Sequence, residues 1–338
     1  ILCILLITPL LYQIKPAYSR TIHVPTEYST IQAAVNAAAA GDTIQVAPRT
    51  YYENVDVNKS LTIIGENPQT TIVDGTANGV VFYLQASNII ITGFTIRNAG
   101  DNYSAIVSER ELVANDYHQI RNNIITTSGY GVYLTKSNYN TIFNNTFINN
   151  AFEGIHLSTS TNTNITRNTI TESAYGIKLM YSLNNIIKEN TISQTSFAIH
   201  LTSTSTGNTI RRNILYGKTA GVYSSSDTTT VDHNTIIDGS SGIYFYNCKY
   251  GSINYNTITN SSYGIRLYWL SATTSSHIIS NNKIMNADWA IELVYSNGNT
   301  FTGNWLQQNT YGIYMTFASS NTIYHNNFLQ NNMQASTG

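Results

Sequence analysis

The stretch Tyr175-Gly176-Ile177-Lys178-Leu179, followed by Asn185-Ile186-Ile187 and Asn190-Thr191-Ile192, decides the fold. Gly176 to Leu179 alternates apolar with polar, the period of a strand with one buried face. Polar turns separate the next two apolar triplets, and at Ala198-Ile199-His200-Leu201 the pattern begins again. Three short strands and three corners within about 22 residues make one coil of a parallel β-helix.

Two registers extend this reading along the chain. The small residue that opens the first strand recurs at Gly79, Ala105, Gly131, Gly154, Gly176, Ala198, Gly221, Gly242, Gly264, Ala290 and Gly312. An asparagine recurs independently at Asn123, Asn145, Asn168, Asn190, Asn213, Asn234, Asn256, Asn282, Asn304 and Asn326, and Ile or Val precedes nearly every one by three residues. A single coil has too few apolar side chains to form a core, so each must stack on its neighbours. The asparagines are expected at left-handed corners, their amides bonded to the backbone or to the next asparagine in the stack. A helical solenoid is disfavoured by the two-residue apolar period and the β-branched content.

Charged residues make up 10% of the chain, against roughly 25% in ordinary globular proteins. The formal net charge of −1 gives no electrostatic support for nucleic-acid binding. With 25 Tyr against 17 Lys and Arg, the composition points to a surface that faces neutral extracellular polymers. Ile1 to Leu11 is apolar except for Thr8 and Pro9, and Ala17-Tyr18-Ser19 offers a small-residue cleavage position. Residues 1–19 therefore read as a signal peptide truncated at its start; the apolar run is short for a membrane span. The expected location is secreted, periplasmic or cell-surface, with no membrane span after cleavage. The mature chain then keeps one cysteine, Cys248, and no internal disulfide.

Ser29-Thr30-Ile31-Gln32 reads as a capping box that opens a short helix closed by Gly41, a lid for the open end of the tube. Short strands at 43–46, 55–57, 61–64 and 71–73 form the first, irregular coils. The expected organisation is a cap helix and irregular coils over 20–78 and about eleven regular coils over 79–338. The fold class is all-β: a right-handed, single-stranded parallel β-helix with a short N-terminal capping helix.

The run from Val24 to Gly75 carries Thr30-Ile31-Gln32-Ala33-Ala34, Gly41-Asp42-Thr43-Ile44, Leu61-Thr62-Ile63-Ile64-Gly65 and Ile72-Val73-Asp74-Gly75. It resembles the opening of pectin-lyase-like β-helix proteins. With the Asn-Thr-Ile repeats behind it, the chain most resembles the NosD-like family of secreted parallel β-helix proteins. That resemblance implies the fold, and a carbohydrate-binding or sugar-processing role. It also raises copper handling, since the family is named after an accessory protein of nitrous oxide reductase. Similar proteins run on into a Trp- and Gly-rich closing segment; here the sequence given stops at Gly338 just after a repeat, so a truncated or uncapped end is expected.

Between the two inward residues of each first strand, one side chain must point outward. That position reads Tyr133, His156, Lys178, His200, Tyr223, Tyr244, Arg266, Glu292 and Tyr314. At about 4.8 Å per coil it forms a stripe roughly 40 Å long. The stripe is expected to bind polysaccharide or cell-envelope glycan, tyrosines meeting sugar rings and His, Lys and Arg meeting hydroxyls or uronate carboxylates. Insertions at 108–121 and 268–277 would wall this groove, with Trp269 available for stacking. The plain alternative is an exposed strand face with no ligand, as in a structural surface protein.

Glycoside hydrolysis requires two carboxylates about 5–5.5 or 6.5–9.5 Å apart, and Glu292 stands alone in the stripe. His156, Lys178 and His200, with Tyr133 and Tyr223 beside them, supply a base, a proton donor and a cation. That set suits a uronan lyase or C5-epimerase. His156 and His200 lie two coils apart, too far to share one copper ion directly. No metal site and no cofactor is expected, and the sequence leaves the oligomeric state open.

Overall fold

The computed structural model describes residues 19–109 and 116–338. Residues 1–18 of the expected signal peptide, and Arg110 and Glu111 of the charged insertion, lie outside the described residues. Within the quoted coil the strands are Tyr175–Met180, Ile186–Lys188 and Thr191–Leu201. The third runs round its corner and becomes the first strand of the next coil. Each of these strands pairs in parallel with its counterparts in the coils above and below. Ile177 lies between Ile155 and Ile199, and Ile187 between Ile165 and Ile210. Each of these side chains is fully buried, so the interior is a set of continuous isoleucine columns.

One sheet contains fourteen strands. Three come from the irregular opening, at Thr21–Val24, Thr43–Val46 and Thr62–Gly65; the rest run regularly from Ile90–Thr92 to Thr322–Tyr324.

The corner asparagines bond the backbone and one another as expected, but they are not themselves the left-handed residues. The left-handed residue is the one before each ladder asparagine: Arg167 (φ 56), Glu189 (φ 56), Arg212 (φ 52), His233 (φ 53) and Tyr255 (φ 54). Asn190 itself serves the hydrogen bonding. Its Nδ2 donates to the Ile165 carbonyl and to Asn213 Oδ1, both at 3.0 Å, and its backbone N–H donates to Asn213 Oδ1 at 2.9 Å. Its own Oδ1 accepts from the backbone N–H and Nδ2 of Asn168 at 2.9 and 3.0 Å. Only a planar group with donor and acceptor on one short arm can satisfy buried backbone in both directions. The same bonds link the successive members of the ladder, ending at Asn326.

A second ladder occupies another corner, through Asn140, Asn185, Asn208 and Asn299. His118 and His277 replace asparagine in it. His277 Nδ1 accepts from the Gly251 N–H at 2.9 Å, and burial lowers the pKa of both imidazoles to about 4.

The lid helix spans Ile31–Ala37 and buries Ile31, Ala34 and Val35. Its cap is Thr30, whose hydroxyl accepts from the Ala33 N–H at 3.1 Å. The expected capping box is replaced by a long-range contact: Glu53 accepts from the N–H groups of Ile31 and Gln32. The helix stops at Ala37, with Ala38 already extended, short of Gly41. Among the described residues no helix is long and apolar enough to cross a membrane.

Candidate functional site

The outward stripe is continuous. Tyr133 pairs with His156, His156 with Lys178, and Lys178 with His200. His200 pairs with Tyr223, Tyr223 with Tyr244, Tyr244 with Arg266, Arg266 with Glu292 and Glu292 with Tyr314. The structure thus brings the whole predicted row onto one face.

Beside it runs a second row that the alternation rule does not find, in two segments: Tyr130, Glu153, Tyr175 and Phe197, then, after the buried Ala220 and Ser241, Tyr263, Trp289 and Tyr311. In Tyr175–Met180 both Gly176 and Ile177 are buried, so the alternation breaks and Tyr175 points outward although it stands two residues from an inward isoleucine. The small residue allows this, since a Cβ on Gly176 would lie 2.4 Å from Ile192 Cγ2 and 2.6 Å from the Ala198 carbonyl oxygen. A residue just before each opening Gly or Ala was the available signal.

The two rows cover each other. His156 and Glu292, expected on an exposed face, are each only 7% exposed. Many ring faces are also taken up internally. Tyr175 and Phe197 stack at 5.3 Å, as do Tyr263 and Trp289 at 4.8 Å and Trp289 and Tyr311 at 5.8 Å, with planes within 12° of parallel. Tyr223 and Tyr244, by contrast, meet at 88° with centroids 5.3 Å apart. This perpendicular pair, with the Tyr246–Tyr268 stack beside it, presents the more varied aromatic surface.

Glu153 anchors a polar cluster near one end of the stripe. Lys178 Nζ lies 3.0 Å from its Oε1, and His156 Nδ1 lies 3.9 Å from its Oε2, beyond hydrogen-bond range. Glu153 Oε2 and both ring nitrogens of His156 are withdrawn from solvent and have no hydrogen-bond partner in the protein. Burial works to raise the Glu153 pKa, yet His156 and Lys178 hold it below the ordinary value, so the carboxylate is ionised at neutral pH. One coil on, burial and then Lys178 push the His200 pKa down to about 4, leaving it a neutral imidazole. Tyr130 and Tyr133, the register partners of Glu153 and His156, also line a cleft of about 450 Å³ with Tyr83, Tyr103 and Glu109.

Further along, Arg266 Nε forms an ion pair with Glu292 Oε2 at 2.6 Å, and its guanidinium lies 4.4 Å from the centre of the Tyr263 ring and 5.3 Å from that of Tyr244. Burial raises the Glu292 pKa more than Arg266 lowers it. Glu153 and Glu292 lie six coils apart, about 29 Å at the usual strand spacing, so they are no hydrolytic pair. Trp269 sits in the strand Tyr263–Thr274, half-buried, with Lys249 Nζ 5.7 Å from its ring centre. The predicted insertion is therefore mostly an extended strand, and the Trp269 face is partly covered by a cation.

Among the described residues no group of three His, Cys, Asp or Glu side chains is placed to hold a metal ion. His118 and His277 are used by the second ladder, and Lys178 separates His156 from His200. These residues do not fit a resident copper ion.

Solved structures share the architecture. The catalytic domain of a GH87 alpha-1,3-glucanase in complex with tetrasaccharides aligns over 96% of this chain and 69% of its own, with TM-score 0.66 and 15% identity. The Dettilon tailspike protein aligns over 90% and 68%, with TM-score 0.61 and 15% identity. The A-module of a mannuronan C-5 epimerase from Azotobacter vinelandii aligns over 90% and 92%, with TM-score 0.59 and 12% identity. At such identities the likeness establishes the right-handed parallel β-helix fold and nothing finer. No curated protein sequence matches. A family model described as "Periplasmic copper-binding protein (NosD)" matches residues 35–223 and 218–338, nearly the whole described chain. On that match and this fold, the chain belongs to the NosD family.

Proposed function

We propose that this protein binds polysaccharide at the cell envelope, along the face built from the two outward rows. The observation that supports this most is the unbroken register from Tyr133 to Tyr314, which sets aromatic and ionisable side chains on every coil. A linear polymer lying along the axis meets a repeated set of groups. Several of the structural neighbours are polysaccharide-acting proteins by their titles, which agrees with this use of the fold. Affinity electrophoresis through gels containing acidic or neutral polysaccharides tests the reading. The wild type is retarded, and Tyr223→Ala and Lys178→Ala each reduce the retardation. Equal mobility with and without every polymer would leave a structural surface protein as the better account.

A second reading, a uronan lyase or C5-epimerase, is favoured by the cluster around Glu153. Such chemistry starts by removing the proton at C5, next to the uronate carboxylate. Neutral His200 can accept that proton, and Lys178 can polarise the substrate carboxylate while Glu153 fixes its position. Elimination then breaks the C4–O bond, with a tyrosine hydroxyl returning a proton to the leaving oxygen; epimerisation returns a proton to C5 from the other face. Absorbance from an unsaturated uronate, or solvent deuterium incorporated at C5, would move the protein from binder to enzyme.

A further inference from the structure

We infer a second anion-binding surface on the fourteen-stranded sheet, independent of the tyrosine-rich face and suited to a linear phosphate-bearing polymer. Thr166, Lys188, Arg211 and Asp232 are successive register partners on this sheet. Immediately beside them, at the left-handed corner, stand Arg167, Glu189, Arg212 and His233. Four cations thus occupy two adjacent rows on three consecutive coils, in a chain whose net charge is −1.

The available carboxylates do not neutralise this group. Glu189 is held by Arg167 Nε at 2.7 Å, and Asp232 faces His233 Nδ1 at 2.9 Å. Among the described residues Lys188, Arg211 and Arg212 have no carboxylate within ion-pair distance. Glu189 is nevertheless close enough to feel Arg167, Lys188 and Arg212 together, and its pKa is lowered by all three. Arg211 Nε is withdrawn from water and has no hydrogen-bond partner in the protein, so no internal acceptor holds this guanidinium through that atom. A cleft of about 380 Å³, lined by Thr141, Phe143, Asn164, Thr166, Arg167 and Lys188 together with the Arg167-paired Glu189, adjoins the cations.

The shape of the patch selects the ligand. Guanidinium groups present paired N–H donors that match the oxygens of a phosphate. The cations extend about 10 Å along the axis, bordered by Phe143 and Thr166 on one side and by Asp232 and Tyr255 on the other. That strip is too narrow and too mixed for a bilayer surface and fits a single anionic chain.

The test uses tripolyphosphate, titrated calorimetrically into the whole protein at low salt, with phosphatidylglycerol vesicles in a separate arm. Tripolyphosphate should bind, and added salt should weaken it. The double variant Arg211→Gln, Arg212→Gln should bind about tenfold more weakly, while Arg211→Lys, Arg212→Lys recovers part of the loss. Gln is already tolerated at left-handed corners, at Gln194 and Gln308, so position 212 accepts it, and Arg211 lies in a strand; the retardation of the variant by neutral polysaccharide, relative to a polymer-free gel, should match the wild type. Absent binding, binding equal in the double variant, or binding to vesicles without binding to tripolyphosphate would each overturn the inference.

Discussion

Lys178 Nζ and Glu153 Oε1 lie 3.0 Å apart across neighbouring coils, joining the two outward rows at one point. Glu153 is almost wholly buried, whereas Lys178 keeps about a fifth of its side chain in water. Glu153→Gln should therefore cost roughly 2 kcal/mol, less than breaking a fully buried pair. It should also strengthen retention on acidic polysaccharide at low salt, because the ammonium loses its internal counter-charge. A thermal melt and gel retardation measure the two effects; weaker retention with an unchanged melt would contradict this view of the pair.

The asparagine ladder makes a sharp prediction. If Asn190 served mainly as a left-handed corner, Asn190→Gly would be tolerated. Because it bonds Asn168, Asn213 and the Ile165 carbonyl, Asn190→Gly and Asn190→Val should both lose at least about 3 kcal/mol from orphaned buried groups. Gln194→Gly, at φ 54, should be neutral or gain about 1 kcal/mol. Chemical denaturation separates these cases.

Ile177 lies in a column between Ile155 and Ile199. Ile177→Asp buries a carboxylate with no partner and should destabilise by several kcal/mol. An unchanged melting temperature would remove the residue from the core.

Acid stability follows from the imidazoles. His118, His200 and His277 have folded pKa values of about 4, below the ordinary 6.5. The folded state holds them neutral, so between these values the unfolded chain binds more protons. Stability is full above pH 6.5 and falls as the pH drops toward 4, by up to about 3 kcal/mol for each of the two most buried rings. His277→Asn, which restores the usual ladder residue, should reduce this loss by the share that His277 contributes. Urea denaturation at pH 7 and 4.5 provides the comparison, and an equal loss in the variant would contradict the assignment.

The sequence made the columns, the ladder and the stripe legible because each repeats in register with the coil. Glu153 was not legible as a site residue. Gly154 lets the chain place two successive residues inward, and strict alternation then misassigns the residue before it. Nor could the sequence show that Tyr175, Phe197, Tyr263 and Trp289 spend their faces on one another, since stacking depends on side-chain orientation as well as register. The left-handed corner was displaced by one residue for a related reason: the asparagine is the repeating letter, but its neighbour carries the backbone strain.

Calorimetric titration of uronate oligosaccharides of increasing length tests the central claim most directly. The account predicts affinity that rises with length until the oligomer spans the row. Lys178→Ala should weaken every binding oligomer, and Tyr244→Ala only those long enough to reach the middle of the tube. Affinity that is independent of length, or unchanged in both variants, would contradict a binding face along the stripe.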